Sequence, residues 1–329
     1  MVSAPSDVAQ RQRWPGLRVV MTGAGGFFGA HLLARLVGAR MSMTIVDRDI
    51  GESRYTAWMV AAGKVRFVRY DSRFMELEVA RALQEADVLV LSGLLEPSSS
   101  SATQFDPGEI DRTVAPLARL VDAFARKGKH IVLASSDYVY GAPERNPVRE
   151  FDPIRPRTGI GLTHAACEKA VRGYAEVGAT ASVLRYATIY GPGETATRAV
   201  ANLIRAALAG RAVVEDDELD EHDYLHVADA VDATVSALRL RADGIYNVGT
   251  GIGTTMAELA NLVWWLTGCS GAPIRGAREW YLPRRSVVLD TSRAHSDLAF
   301  RARHALPDGL KEEIGWFKAA FGSDLKSAA

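Results

Sequence analysis

The sequence is poor in cysteine, which bears on whether the protein binds a metal and on the redox state of its compartment. Its 329 residues contain two cysteines, Cys167 and Cys269. They lie far apart in the chain and lack the close spacing of metal-binding cysteines. We therefore expect no metal site, and a reduced, cytoplasmic location.

Long apolar runs and an excess of charge of one sign are also absent. No run approaches the roughly 20 apolar residues that a membrane-spanning helix needs. The 39 basic residues are balanced by 39 acidic ones, and no basic patch suggests a nucleic-acid or anionic-membrane surface. We expect a small-molecule substrate and neither a nucleic acid nor a membrane as a partner.

Two polar segments carry no recognisable functional signal. Residues 1–15 have no apolar core of the kind found in secretory signals, so we predict a mobile tail. Residues 215–223 carry clustered acidic side chains, which we interpret as a solvated loop.

Short apolar runs alternate with segments of helical spacing along most of the chain. We predict strands at residues 17–21, 44–46, 65–70, 87–92, 130–135 and 182–186, and helices at residues 30–37, 116–126, 163–177, 199–209, 228–239, 255–266 and 310–321. Such alternation is typical of an α/β fold with a parallel sheet covered on both faces.

A glycine-rich turn, residues 22–29, follows the first predicted strand and opens the first helix. Gly23 permits a tight turn, Gly26 lets a pyrophosphate approach the backbone, and Gly29 permits close packing of helix on strand. Gly25, Phe27 and Phe28 lie in the same turn. Free N–H groups at the start of a helix attract phosphate. The turn predicts a dinucleotide site in a Rossmann-type doubly wound sheet.

Asp47 ends the second predicted strand, 24 residues after Gly23. A carboxylate at this position accepts hydrogen bonds from ribose hydroxyls and repels the 2′-phosphate of NADP. We therefore predict NAD as the cofactor, with NADP less favoured. The neighbouring Arg48 keeps the second choice open, because it can bind a phosphate.

The domain organisation follows from these elements. We predict a dinucleotide-binding domain at residues 16–186, to which residues 224–250 return. Residues 187–223 and 251–329 are predicted to form a smaller C-terminal substrate-binding domain. Trp264 and Trp265 lie on a helix among apolar neighbours, so we predict that both are core residues.

Six sequence blocks resemble, in order, the extended short-chain dehydrogenase/reductases, also called NAD-dependent epimerase/dehydratases. Beyond the glycine turn, these six are Asp71, LSGL at 91–94, SSDYVYG at 135–141, LRYATIYGPG at 184–193, HDYLHVAD at 222–229 and YNVGTG at 246–251. The resemblance covers residues 19 to about 316.

The resemblance implies roles for individual residues. Asp71 and Ser72 would lie beside the adenine, and Leu91, Ser92 and Gly93 beside the pyrophosphate, with Thr113 in the same cofactor site. Leu94 would face the substrate, and Ser136 would donate a hydrogen bond to the substrate oxygen, near Tyr138. The alternative for Ser136 is an ordinary cap of a backbone group. The family also implies a homodimer built by the helices at 116–126 and 163–177.

The sequence departs from the family at its acid/base pair, a Tyr and a Lys four residues later. Registered on Pro156, Gly161 and Glu168, these positions are Ile160 and His164. Isoleucine has no proton to give, whereas imidazole titrates near neutrality. Three roles for His164 stay open: a ribose hydrogen bond, the proton donor itself, or no chemistry.

A second departure concerns the substrate. Family members that act on nucleotide sugars hold the diphosphate with one Asn and two Arg residues. The corresponding positions here are Thr188, His222 and Trp280, with Arg278, Arg284 and Arg285 near the last of them. Because a diphosphate needs charge-assisted donors, we predict a different substrate. Trp280 and Tyr281 are candidates to stack on an apolar or aromatic ligand.

These observations predict an NAD-dependent oxidoreductase that transfers a hydride at a ketone or secondary alcohol. Ser136 would polarise the oxygen, and His164 or water would supply the proton. Three alternatives stay open: a nucleotide-sugar epimerase or dehydratase with a relocated acid/base group, a non-catalytic NAD sensor, and a non-redox catalyst in the same pocket.

Overall fold

The computed structural model describes residues 16–71, 73–93, 107–174, 178–194, 198–210, 213–214, 220–269, 274–275 and 286–321. The predicted tail at 1–15, Ser72, Leu94, Trp280 and Tyr281 with the nearby arginines, and residues 215–219 of the acidic run lie outside these residues.

The first part of the chain alternates strands and helices. Its strands are β1 (Arg18–Thr22), β2 (Ser42–Asp47), β3 (Arg66–Arg69), β4 (Val88–Leu91), β5 (His130–Ser136) and β6 (Thr180–Tyr186). Its helices are α1 (Phe27–Gly38), α2 (Arg54–Ala61), α3 (Leu77–Glu85), α4 (Pro107–Phe124) and α5 (Gly159–Arg172). A short 3₁₀ helix, Asp137–Tyr140, follows β5 directly.

The remaining elements are shorter and more mixed. They are β7 (Thr188–Tyr190), α6 (Ala199–Leu208), β8 (Val213–Val214), β9 (Glu221–His226), α7 (Val227–Leu240), β10 (Gly244–Val248), β11 (Gly253–Thr255), α8 (Met256–Thr267), β12 (Ile274–Arg275), α9 (Ser292–Leu298) and α10 (Leu306–Phe321).

The described strands form one seven-stranded parallel sheet and two small ones. The large sheet has the order β10-β6-β5-β4-β1-β2-β3. The strand order reverses between β1 and β4, and such a switch point opens a crevice at the carboxyl ends of the strands. This arrangement confirms the predicted Rossmann-type sheet.

Both faces of the large sheet are buried. Neighbouring side chains of a strand point to opposite faces, so each strand contributes to two cores. Val19 and Met21 join a core with α1 and α7, whereas Val20 joins a second core with α3, α4 and α5. A third core lies under the small sheet β11-β9-β7 and combines residues of α6, α8 and α10.

Three local predictions were wrong. The predicted helix at 116–126 begins earlier, at Pro107, and Pro116 lies inside it. The predicted helix at 163–177 runs from Gly159 to Arg172, because the hydroxyl of Thr158 accepts the N–H of Gly161 at 3.1 Å and caps it there. Trp265 is 74% exposed, although Trp264 is buried, since adjacent helical residues point in different directions.

Candidate functional site

The glycine-rich turn lies at the carboxyl end of β1, beside the switch point. A Cβ atom on Gly29 would lie 1.9 Å from the carbonyl oxygen of Gly23, and one on Gly25 would lie 2.1 Å from that of Ile50. Gly23 has φ +71° and abuts the backbone of Gly93. These three glycines are therefore required by the protein's own packing.

Gly26 is different from its neighbours. Its φ of −80° suits any residue, and a Cβ atom there would make one ordinary contact, 3.5 Å from the Gly23 carbonyl. The protein itself leaves the space beside this residue open, at the start of α1. Such a space, next to the free N–H groups of a helix N-terminus, fits a pyrophosphate.

Asp47, at the end of β2, is tied to the turn. Its Oδ2 atom accepts the N–H of Gly23 at 2.7 Å, and its Oδ1 atom accepts the N–H of Arg48 at 2.9 Å. Burial raises the pKa of the Asp47 carboxyl, and these two N–H groups offset part of the rise. The carboxylate is thus held at the position predicted for the ribose contact.

A cavity of about 600 Å³ opens between the ends of β2 and β3 and the helix α4. It is lined by five guanidinium groups and two carboxylates, those of Arg48, Arg69, Arg73, Arg112, Arg119, Asp71 and Asp111. Asp71 accepts the side-chain N–H groups of Arg73 at 3.0 and 2.7 Å, which lowers its pKa to about 2. The predicted adenine contact is therefore an ionised side chain in a cationic setting.

The end of β4 lies against the same turn. Leu91 is buried, and the hydroxyl of Ser92 donates to the carbonyl of Thr22 at 2.6 Å. Thr113 of α4 is buried, and its hydroxyl oxygen has no hydrogen-bond partner among the described residues. An orphaned hydroxyl at a predicted cofactor position fits a bound dinucleotide, because buried polar atoms are normally paired.

The predicted oxygen-binding residue, Ser136, ends β5. Its hydroxyl accepts the N–H of Tyr138 at 3.3 Å and donates to Asp137 Oδ1 at 3.1 Å. It therefore caps the 3₁₀ helix, and its hydroxyl is also polarised by a carboxylate. Asp137 is 2% exposed. The sequence reasoning missed it, although an acidic residue directly after the Ser pair was a visible signal.

Ile160 and His164 lie in the first turns of α5, which packs against the 3₁₀ helix. A Cβ atom on Gly161 would lie 2.5 Å from the Tyr138 carbonyl oxygen. The start of α5, with Ile160 and His164, therefore packs against the segment that carries Asp137 and Tyr138, and His164 lies close enough to Asp137 to feel its charge.

His164 does not keep the near-neutral pKa on which a donor role depends. Burial lowers the pKa of its imidazole to about 4, and the negative charges of Glu168 and Asp137 offset only part of this. Its Nδ1 atom is buried without a hydrogen-bond partner among the described residues. At neutral pH the side chain is therefore an uncharged imidazole with an open hydrogen-bonding site.

A buried polar network connects several elements at this end of the sheet. Arg185 of β6 binds Glu168 with two bonds of 3.0 and 2.7 Å and donates to Tyr140 Oη at 2.9 Å. Glu168 also accepts the hydroxyl of Ser135 at 2.5 Å, and Tyr140 donates to Asn247 Oδ1 at 2.6 Å. The network therefore joins β5, β6, β10 and α5, and it includes Ser135, the chain neighbour of Ser136.

Two of the three positions that correspond to the diphosphate-binding residues, Thr188 and His222, lie in the small sheet. Thr188 of β7 pairs with Tyr224 of β9, and His222 lies two residues before Tyr224. Both side chains are partly buried. The next residue, Asp223, binds Thr250 and Gly251 and fastens β9 to the turn after β10. Its part in the sequence block is structural.

Across the described ranges, no group of three or more His, Cys, Asp or Glu side chains is arranged to hold a metal ion. None of the helices in these ranges has both the length and the apolarity needed to cross a membrane.

Sequence comparison finds relatives that are named as epimerases and dehydratases. The UDP-glucose 4-epimerase of Mycolicibacterium smegmatis is 29% identical over 318 residues, covering 92% of this chain and 99% of the relative. The dTDP-glucose 4,6-dehydratase of Streptomyces griseus is 26% identical over 311 residues, covering 91% and 93%.

Solved structures of similar proteins match nearly the whole chain as well. MoeE5 in complex with UDP-glucose and NAD has a TM-score of 0.79 at 29% identity, covering 92% of this chain and 99% of that one. The UDP-glucose 4-epimerase of Thermus thermophilus in complex with NAD has a TM-score of 0.79 at 26% identity, covering 92% and 100%.

A sequence model described as the NAD dependent epimerase/dehydratase family matches residues 19–249. This match spans well over half of the chain, and the prediction of NAD as cofactor is confirmed at the level of the family. The chain belongs to the NAD-dependent epimerase/dehydratase family.

Proposed function

We propose that this chain binds NAD(H) and transfers a hydride at a ketone or secondary alcohol of a substrate other than an ordinary nucleotide sugar. The open backbone position at Gly26, with Asp47 fixed beside it, is the observation that carries the cofactor site. Bound NAD would supply the hydride acceptor, or NADH the donor; the residues of this chain bind, orient and move the proton.

Cofactor choice depends on Asp47. Replacing it with alanine removes the ribose partner, and we expect NAD binding to weaken by about 1 to 3 kcal/mol, the usual cost of unpaired hydroxyl groups. Calorimetric titration with NAD and with NADP measures this. Equal or tighter binding of NADP to the parent protein would contradict the proposal and give the arginine-lined cavity the role of a 2′-phosphate site.

Ser136 is the group that holds the substrate oxygen. Its hydroxyl proton points toward Asp137, and one lone pair of its oxygen accepts the N–H of Tyr138. The second lone pair can take the proton of a substrate alcohol while the hydroxyl's own proton moves to the carboxylate. The reverse transfer would protonate the oxygen of a ketone as it is reduced. In this path every proton that leaves one oxygen is taken up by another. It therefore requires neither a tyrosine at the position of Ile160 nor a charged histidine.

His164 acts as a neutral hydrogen-bonding group in this proposal. Its orphaned Nδ1 atom is suited to a ribose hydroxyl, one of the roles left open by the sequence. Tyr138, two residues after Ser136, is a further candidate for contact with the substrate. His164 needs no positive charge for its role.

A second candidate function is nucleotide-sugar epimerisation or dehydration with a relocated acid/base group. The observation in its favour is the similarity to such enzymes over more than nine-tenths of the chain. Against it stand Thr188, His222 and Trp280, which replace the Asn and Arg residues that would hold a diphosphate.

Binding and turnover together separate the candidates. We expect no binding of UDP- or dTDP-sugars by thermal shift, but reduction of bound NAD with a pocket alcohol, slowed about a hundredfold or more by Ser136→Ala. Micromolar binding of a nucleotide sugar would favour the second candidate. If no ligand of either kind ever changes the redox state of bound NAD(H), the protein is a sensor or a non-redox catalyst.

A further inference from the structure

Two buried carboxyl groups face one another outside the residues discussed so far. Glu194 follows β7 in the loop Gly191–Glu194, and Glu313 lies on α10; they are 1% and 0% exposed. Glu194 Oε2 and both Glu313 oxygens have no hydrogen-bond partner among the described residues within normal bonding geometry. A buried carboxylate in this condition costs far more than a protonated carboxylic acid.

The surroundings supply little positive charge. Arg198, just before α6, reaches Glu194 at 3.7 Å, but its side chain is 57% exposed. Tyr190 of β7 is within reach of the charge of Glu313, and Asp229 at the start of α7 and Asp308 and Glu312 of α10 also act on Tyr190. His226 lies between Tyr190 and His304, and His31 of α1 contacts the loop at Pro192.

This setting favours retention of a proton. Burial, followed by the charge of Glu194, raises the pKa of Glu313 to about 9. Burial also raises the pKa of Glu194 to about 7, although Arg198 opposes the rise. At neutral pH the pair therefore keeps at least one proton between its two carboxyl groups.

The loop Gly191–Glu194 connects this pair to the glycine turn. The carbonyl of Pro192 accepts the ring N–H of His31 at 2.8 Å, and a Cβ atom on Gly193 would lie 3.5 Å from that ring and 3.9 Å from Phe27. The loop thus rests on the first two turns of α1, the helix whose start forms the proposed pyrophosphate site.

On its other side the same loop rests on α10. The N–H of Gly191, a residue with φ +139°, faces the Glu313 carboxyl group. A Cβ atom on Gly309 would lie 2.3 Å from Tyr190 Oη, so α10 and the end of β7 are in close contact. The loop is therefore held between α10 and α1.

We propose that Glu313 is a positioning residue, whose carboxyl group shares a proton with Glu194 and clamps the loop Gly191–Glu194 between α10 and the cofactor helix. The inference rests on the proposed binding of NAD, because Phe27 at the start of α1 belongs to that site. Loss of the shared proton at alkaline pH leaves two buried negative charges in contact. Their repulsion separates α10 from the loop and loosens the wall of the dinucleotide site.

The sign of the effect follows from proton binding. The native pair holds more protons than the unfolded chain, in which both carboxyls have their ordinary pKa of 4.5. The stability that the clamp contributes is complete below that value and is lost as pH rises through the native pKa values of about 7 and about 9. The loop should therefore open on the alkaline side.

Glu313→Gln tests the clamp, because an uncharged amide can donate to Glu194 and accept the N–H of Gly191 at any pH. We expect the amide hydrogen exchange of residues 191–194 and of α10, corrected for intrinsic exchange, to accelerate in the parent protein between about pH 7 and about pH 9.5. In the variant the corrected exchange rate should not change over this range. NAD affinity of the parent should fall over the same range, at most about tenfold per pH unit for one linked proton.

Glu312→Gln is the matched control, since it removes one carboxylate from the neighbouring, 55% exposed position of the same helix; it should keep the parent's pH dependence. If Glu313→Gln does not fold, Glu194→Gln makes the same test from the other partner. Equal alkaline profiles for the parent and the Gln variants would overturn the clamp. If no NAD binds at any pH, the proposed function fails, while the exchange profile still decides the clamp by itself.

Discussion

At the scale of single residues, Gly26 separates ligand binding from folding. Gly26→Val places its side chain in the space left for a pyrophosphate, because the protein itself offers only one ordinary contact there. We expect NAD binding to be lost in a calorimetric titration, while the unfolding free energy falls by only about 1 kcal/mol through the altered helix start.

The neighbouring Gly29 provides the contrast. Gly29→Ala would place a Cβ atom 1.9 Å from a backbone oxygen, so it should lower the melting temperature before any ligand is added. A Gly26→Val protein that binds NAD as the parent does would show that the turn is not the phosphate site.

His164 gives a prediction in pH. Since burial lowers its pKa to about 4, its imidazole signal in an NMR titration should change with a midpoint near that value. The unfolded chain takes up this proton first, so the contribution of His164 to stability is intact above its ordinary pKa of 6.5 and is lost as pH falls through about 4. A midpoint near 6.5, with a matching inflection in turnover that His164→Ala removes, would restore the charged donor.

At the scale of elements, the ion pair of Arg185 with Glu168 links β6 to α5 in the buried network. Glu168→Ala would leave the guanidinium without its carboxylate in a site where both side chains are under 5% exposed. We expect a loss of about 3 to 5 kcal/mol in the unfolding free energy, measured with urea. A surface pair such as Arg66 with Glu78 should cost less than about 1 kcal/mol when broken in the same way.

The elements also show what could be predicted from the sequence. Six of the seven strands of the large sheet lie where apolar runs predict them, because strands buried on both faces need such runs. The remaining strand, β10, was not predicted. The start of α5 depends on one capping hydroxyl, that of Thr158, and the burial of His164 depends on packing between segments distant in the chain. The cofactor turn was therefore predictable, whereas the protonation of His164 and the Glu194–Glu313 pair were not.

At the scale of the whole molecule, we expect a homodimer. Helices α4 and α5 pack side by side on one face of the sheet, with Leu120 and Val171 turned inward to the same core. Ala166 lies outside the buried stripe of α5. Sedimentation should give twice the mass of the chain, and Ala166→Arg should reduce it to that of one chain, because a buried guanidinium at the interface lacks a partner. A parent that sediments as a monomer would contradict this.

The return of the chain to the large sheet has a consequence for biosynthesis. Strand β6 pairs on its outer side with β10, Gly244–Val248. The residues that lie between these two strands in the chain form elements outside the large sheet. While the ribosome makes that intervening stretch, β6 is an uncovered sheet edge, open to pairing with another chain. This edge stays open until β10 has emerged, so a chaperone or fast completion of the chain would protect the first six strands of the sheet during synthesis.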